Sequence, residues 1–354
     1  MSLAQPHATN PQTRVSMLQG IGWFAIGVLL TLLVLEGVLR LLPVNAGWTN
    51  PAPTHDEPLI RYVPGAPFVY SRGWSFANVQ RGRFNNLGYV SEHDYRAGAP
   101  TVAVIGDSYV EAAMIPGGRR MHERLQILLP GWMQAIGMGQ SGADLADDLV
   151  MARYAATHFE LKAIVILLSP ADVLSSGKPR PRGFWFSGSG SATRIHSAAQ
   201  VALRNQLYRS RLLSYLFVNL KFAPADLLDD GFNAAETEVT PASDFDATAS
   251  DHLAFFLHAL QALAAQEGLR PEAVVLLLDA DRTALYEGGP ASALHNALLQ
   301  RARDSGASVI DLSAAFGDEF ARTGRKLEMG DDDSHWNARA HQIAAQRVAE
   351  ALRR

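Results

Sequence analysis

The chain has no cysteine among its 354 residues, which rules out a disulfide framework and any thiolate metal site. Basic residues are not in excess: the formal net charge is −4, with no clustered cationic face of the kind nucleic-acid binding requires. No repeat period emerges. The turn after the first strongly apolar strand carries no glycine-rich cradle, which argues against a nucleotide or phosphate binder. What is abundant is apolar: 48% hydrophobic residues against 19% charged ones describe a globular protein with an additional apolar segment. The absence of cysteine suits either side of a bacterial membrane.

That segment lies near the amino terminus. Residues 1–18 are polar, include Pro6 and Pro11, and read as a mobile tail. From Gly20 to Leu35 no residue is charged, and the apolar run continues past Glu36 and Arg40 to Leu42. About 23 residues at 1.5 Å each can cross a ~30 Å hydrocarbon core, so 19–42 is expected to be one transmembrane anchor. Glu36 and Arg40 stand four apart and can pair on one helix face, with Trp23 at the opposite interface. No Ala-x-Ala site follows, and the run is long for a signal peptide, so the anchor is expected to be retained. Arg14 and Arg40 flank it, a weak bias toward an inside tail and an outside domain. Residues 43–80, with Pro43, Pro51, Pro53, Pro58, Pro64 and Pro67, read as a stiff non-helical linker.

From residue 81 onward the pattern alternates between short buried strands and amphipathic helices. Strands are expected at 102–105, 132–136, 163–168, 273–278 and 308–312, separated by helices at 119–129, 143–158, 253–268 and 291–305, with a terminal helix after 337. About five parallel strands with helices on both faces make a doubly wound α/β arrangement. Residues 175–250 interrupt it as an insertion, with an exposed SGSGS loop at 187–191, a helix at 203–222 and an acidic loop at 224–250. Phe184, Trp185 and Phe186 in that insertion suit either a sugar-stacking lip or packing on the domain, and packing is favoured.

Two stretches carry chemistry. Gly106-Asp107-Ser108 breaks the first strand at its carboxyl end, where open α/β sheets bind ligands. Taken alone it is a turn with a helix cap. Asp331-Asp332-Asp333-Ser334-His335-Trp336-Asn337 changes that reading, because a serine needs a base to take its proton and the base needs a carboxylate to orient it. Taken alone the acidic run is a solvated loop or a cation site. A glycine-lined turn, Gly137 to Gly142, could bring backbone N–H groups to a developing oxyanion.

The sequence resembles the GDSL/SGNH hydrolase superfamily, serine esterases and acyltransferases of three-layer α/β/α, flavodoxin-like fold. VIGDSYVEA at 104–112 matches its first block, Gly139 its second-block glycine and DDSHWNARAH at 332–341 its last block. The resemblance covers residues 80–354 and implies Ser108 as nucleophile and first oxyanion donor, Gly139 as second donor and His335 as base. It implies no metal and no cofactor. Two departures stand out. Ala171, in Ser169-Pro170-Ala171-Asp172, occupies the place of the third-block asparagine that completes the oxyanion hole; Ser169 or Gln140 could substitute for it. The acid of the triad is Asp332 by the broad family's spacing and Asp333 by the Asp-x-His-Trp form of polysaccharide O-acetylation relatives, with Asp333 slightly favoured.

Membrane-anchored relatives imply a bacterial inner-membrane, single-pass protein with a periplasmic domain. They imply action on acylated, chiefly acetylated, cell-envelope polysaccharide or a small ester, with a secretion or synthase complex as partner. The competing expectation is a weakened pseudo-enzyme that serves such a complex as scaffold or glycan-binding subunit; Ala171 favours it, and Ser108 with His335 opposes it.

Overall fold

The computed structural model describes residues 11–54, 58–222 and 244–353. The chain opens with α1 (Pro11–Leu41), within which Gln19–Leu41 is long and apolar enough to cross a membrane and is exposed along most of its length, with Leu39 near its end buried. Of the expected tail, residues 1–10 lie outside the described residues, while from Pro11 the backbone is already helical.

The expected linker is instead a packed part of the domain. β1 (Pro67–Arg72) and β2 (Ala77–Arg83) form an antiparallel hairpin. Trp48, Tyr62, Phe68 and Phe84 bury their rings in one cluster with centroids 4.4–5.4 Å apart. The prolines set the backbone direction, but four aromatic rings have more apolar surface to hide than an extended linker can cover.

The sheet then begins. β3 (Pro100–Gly106) runs into the short helix α2 (Ser108–Glu111), followed by α3 (Met121–Leu128), β4 (Gln134–Gly139), α4 (Leu145–His158), β5 (Glu160–Leu168) and α5 (Pro170–Ser175). The insertion holds a second hairpin absent from the sequence reading, β6 (Arg182–Ser187) and β7 (Arg194–Ala199), whose turn is the SGSGS stretch. Phe186 is fully buried there, against Phe255 and His252, so packing rather than sugar stacking is its part. The expected helix at 203–222 is broken into α6 (Ala202–Arg209), α7 (Arg211–Ser214) and a π-helical turn over Tyr215–Asn219. Ser210 causes the break, because its hydroxyl caps α7 by accepting from the Leu213 N–H at 3.2 Å. Most of the acidic stretch at 224–250 falls outside the described residues.

The remaining elements are α8 (Ala247–Gln266), β8 (Val274–Leu278), α9 (Arg282–Glu287), α10 (Ala293–Asp304), β9 (Ser308–Asp311), α11 (Ser313–Thr323), a small hairpin of β10 (Glu328–Gly330) and β11 (Asp333–Trp336), and α12 (Ala338–Ala351). The five central strands are parallel in the order β4-β3-β5-β8-β9. Alternate residues divide between two cores. Ala103, Ile105, Ile164, Ile166 and Leu276 face α4, α8 and α10, whereas Val102, Val104, Val165, Val275 and Leu277 face α3, α11 and α12. Strands buried on both faces explain the unbroken apolar runs that made them legible. The result is the three-layer α/β/α architecture expected from the sequence.

Candidate active site

β3 ends at Gly106, over which α2 packs closely: a Cβ at that position would lie 2.9 Å from the Val110 side chain. Asp107 accepts from the Tyr109 N–H at 2.9 Å and so starts α2, leaving Ser108 at the first helical position beyond the sheet. Ala112 closes α2 with a left-handed φ of 47°, its N–H bonded to the Ser108 carbonyl at 2.9 Å.

His335 arrives from the other end of the chain on the β10–β11 hairpin. Its neighbour Trp336 is fully buried and donates its indole N–H to Asp279 at 2.9 Å. Asn337 caps α12 by accepting from the N–H groups of Arg339 and Ala340 at 3.0 and 3.1 Å. The ring is thus fixed on both sides. Its Nε2 lies 2.8 Å from Ser108 Oγ and its Nδ1 2.7 Å from Asp333 Oδ1. With the Nδ1 proton on the Asp333 side, Nε2 is left to accept from the serine hydroxyl. The imidazole remains 29% exposed, open to a substrate, while the Asp333 side chain is only 9% exposed.

Asp332 does not join this relay. Its carboxylate is 77% exposed and pairs with Arg72 at 3.0 Å; the same guanidinium reaches Asp333 Oδ2 at 3.3 Å. Burial alone would raise the Asp333 carboxyl, but the His335 hydrogen bonds and the charges of His335 and Arg72 hold it below its ordinary value. The spacing left two aspartates in reach of the histidine. Arg72, at the end of β1, separates them.

Gly139, which the resemblance implies as second oxyanion donor, has a packing part as well. It lies inside β4 opposite Gly106, and the Gln140 N–H bonds the Gly106 carbonyl at 3.1 Å. In that parallel register Gly139 directs its own N–H to the outer edge of the sheet, as Gly137 does, whose N–H donates to the Tyr95 hydroxyl at 2.9 Å. What Gly139 supplies is room: a Cβ would stand 2.0 Å from the Glu111 nitrogen and 2.5 Å from the Val110 carbonyl carbon, so α2 rests directly on it. In the turn beyond, Ser141 gives both its N–H (2.7 Å) and its hydroxyl to Glu111, and the Ala143 N–H goes to the Gln140 carbonyl at 2.9 Å. The N–H groups of Ser108 and of Gly142 (φ 78°) find no acceptor among the described residues, and neither does the side-chain amide of the largely buried Gln140. Ser169, the other substitute considered for the missing asparagine, spends its hydroxyl on Asp172 at 2.8 Å.

Asp107, half-buried beside Ser108, lies within electrostatic reach of two buried carboxyls, Asp148 and Asp172. Burial pushes Asp107 up to about 6, and burial with mutual repulsion raises the other two. Several contributors were not visible in the sequence. Arg282 donates to Tyr109 Oη at 2.9 Å, to Asp279 and Glu328 at 3.0 Å each, and to the Ser334 carbonyl. Tyr109 also donates to that carbonyl at 3.1 Å and holds its ring 4.9 Å from His335. Asp279 follows β8 at the carboxyl edge of the sheet, and that position was its one available signal.

A Ser–His–Asp relay at the carboxyl ends of a doubly wound parallel sheet defines the class: an α/β/α protein with the site geometry of a serine hydrolase. No family model and no curated protein matches the chain. Among solved structures it is similar to a member of the lipolytic protein G-D-S-L family from Veillonella parvula, at 13% identity over 71% of this chain and 97% of that one, with a TM-score of 0.38. It is similar to an alpha/beta hydrolase enzyme from the metagenome of Lake Arreo at 13% identity, 73% and 96% coverage and a TM-score of 0.39. A third is an acetylxylan esterase from Geobacillus stearothermophilus, at 13% identity, 73% and 95% coverage and a TM-score of 0.36. Similarity this distant extends to neither substrate nor activity.

Proposed function

We propose that this chain is a membrane-anchored serine esterase or acyltransferase of GDSL/SGNH type, acting on acyl groups, acetyl first, of a cell-envelope or exopolysaccharide. The observation that carries the reading is the unbroken relay from Ser108 Oγ through His335 to Asp333, at 2.8 and 2.7 Å. Ser108 Oγ attacks the ester carbonyl carbon as His335 Nε2 takes its proton. The carbonyl oxygen becomes an oxyanion, for which the Ser108 and Gly142 N–H groups and the Gln140 amide are the unengaged donors. The intermediate then expels the sugar alcohol, which receives the proton from His335, and leaves an acyl-serine. Water entering the same cleft completes hydrolysis; a second sugar hydroxyl completes transfer. Asp333 stabilises the imidazolium in both halves. The apolar α1 anchors the domain, and a periplasmic face and a secretion complex belong to the same proposal.

The test is turnover of p-nitrophenyl acetate and of acetylated xylan by the full chain in detergent, beside Ser108→Ala. Activity is expected to fall by about 10³-fold or more in the variant, and intact-protein mass should show one acyl group on the native chain only. Equal rates in both proteins would refute the enzyme. A folded chain inert toward both esters would favour the scaffold reading that Ala171 suggests.

A further inference from the structure

Glu36 lies inside the apolar span of α1, five residues before Leu41. A carboxylate there needs partners, and the structure supplies four: Arg40 Nε at 2.9 Å, Ser210 Oγ at 2.8 Å, and the N–H groups of Arg211 and Leu212 at 3.1 and 2.8 Å. The start of α7 is therefore pinned to α1 about 7.5 Å below the end of the span, at 1.5 Å per residue. If α1 crosses a bilayer up to Leu41, α7 cannot stand clear of it.

The surface around that joint is built accordingly. Leu203, Leu213, Leu220 and Phe222 are exposed, Phe222 by 70%, and so is Trp74 at the tip of the β1–β2 hairpin, by 75%. The tip is joined to the same segment: Tyr215 donates its hydroxyl to the Trp74 carbonyl at 3.3 Å and packs its ring 5.4 Å from Phe76. The same segments carry cations, Arg209, Arg211 and Lys221 within 203–222 and Arg40 near the end of α1. Between α1 and α6–α7 runs a groove of about 430 Å³ lined by Leu32, Leu33 and Leu212 with Arg209 and the Glu36–Arg40 pair, apolar surface below and charged surface above as an acyl–headgroup boundary presents them.

We propose that residues 203–222 and the Trp74 tip form a second membrane contact, lying in the headgroup–acyl boundary of an anionic phospholipid bilayer beside α1. The inference rests on the anchoring in the proposed function. It has a consequence for substrate: Arg72, whose guanidinium touches Asp333, stands two residues, at most about 7 Å of chain, from Trp74, so the catalytic acid is tied to the same hairpin that carries the bilayer contact. The esters within reach are those presented at the membrane surface.

The absence of cysteine makes the test clean, since one introduced cysteine carries one label. Leu30→Cys, Trp74→Cys, Leu213→Cys and Ile127→Cys would each be labelled with an environment-sensitive fluorophore in the full chain, in nanodiscs of phosphatidylglycerol and phosphatidylcholine with doxyl-labelled lipid as quencher. Ile127 is exposed on α3, on a different part of the domain, and serves as reference. Quenching at 74 and 213 is expected to exceed that at 127 by about threefold or more, and to weaken when phosphatidylglycerol is omitted. Quenching at 30 with none above reference at 74 and 213 would overturn the second contact and leave the anchor standing. No quenching at 30 would overturn both.

Discussion

Asp333 and Asp332 are adjacent carboxylates with opposite surroundings, and function should separate them as sharply as the structure does. Asp333→Asn removes the acceptor that fixes the His335 tautomer and is expected to lower kcat by about 10²–10⁴. Asp332→Asn removes one exposed ion pair, worth about 1 kcal/mol at most, and should leave kcat within about twofold. Turnover of p-nitrophenyl acetate by both variants decides the matter; equal losses would place the acid elsewhere. The sequence held both candidates because each lies two or three residues before the same His335. The choice depends on Arg72, 261 positions away from Asp333, and no local pattern carries that information. Ser108 and His335 were legible as candidates because a nucleophile and its base need particular atoms at particular motif positions, and the structure brings the two together at 2.8 Å. Arg282 and Tyr109, which hold the Ser334 carbonyl, were not, since arginine and tyrosine at such spacing are ordinary.

Between elements, the contact of α2 with β4 matters most. The Gly139 Cα faces the backbone of Val110 and Glu111, and backbone has nowhere to give. Gly139→Ala should therefore shift α2 and Ser108 with it, costing about 1–3 kcal/mol of stability and about 10²-fold in rate. Gly131→Ala meets nothing within 4 Å and is the control for glycine replacement as such. Urea unfolding and turnover of both variants would show it; a Gly139→Ala protein as stable and active as the control would contradict the packing described. The glycine run was conspicuous in the sequence, yet a strand-end glycine serves oxyanion binding and close packing equally well on paper. The five parallel strands were readable because continuous Val, Ile and Leu runs need burial on both faces. The β6–β7 hairpin was hidden by a serine- and glycine-rich turn, and β10–β11 by an acidic run that reads as solvated loop.

Over the whole molecule, folding stability should carry a histidine signature in mild acid. His341 is buried and accepts from the Met121 N–H at 3.2 Å, and burial lowers it to about 3; His122 beside it falls to about 4. Each is neutral when folded and binds a proton near 6.5 when unfolded, so the unfolded state takes up more protons as pH drops below that value and stability is lost. Between pH 6.5 and pH 5 the loss is about 2 kcal/mol for each. Asp107 and Asp144, raised by burial to about 6 and about 7, act in the opposite sense, which makes the difference between two proteins the useful quantity. His341→Gln keeps an acceptor for Met121 and does not titrate. From pH 7.5 to pH 5 it should lose about 2 kcal/mol less than the native chain in urea titrations; parallel losses would show that His341 is not a buried neutral acceptor.

Ser108 and His335 meet across 227 positions, and α12, which follows His335, is docked on α3 through that same Met121–His341 bond. A nascent chain exposes its serine long before its base exists. The Ser108–His335 pair therefore comes into being only when synthesis has run through α12, and a message cut short upstream leaves the serine without its partner.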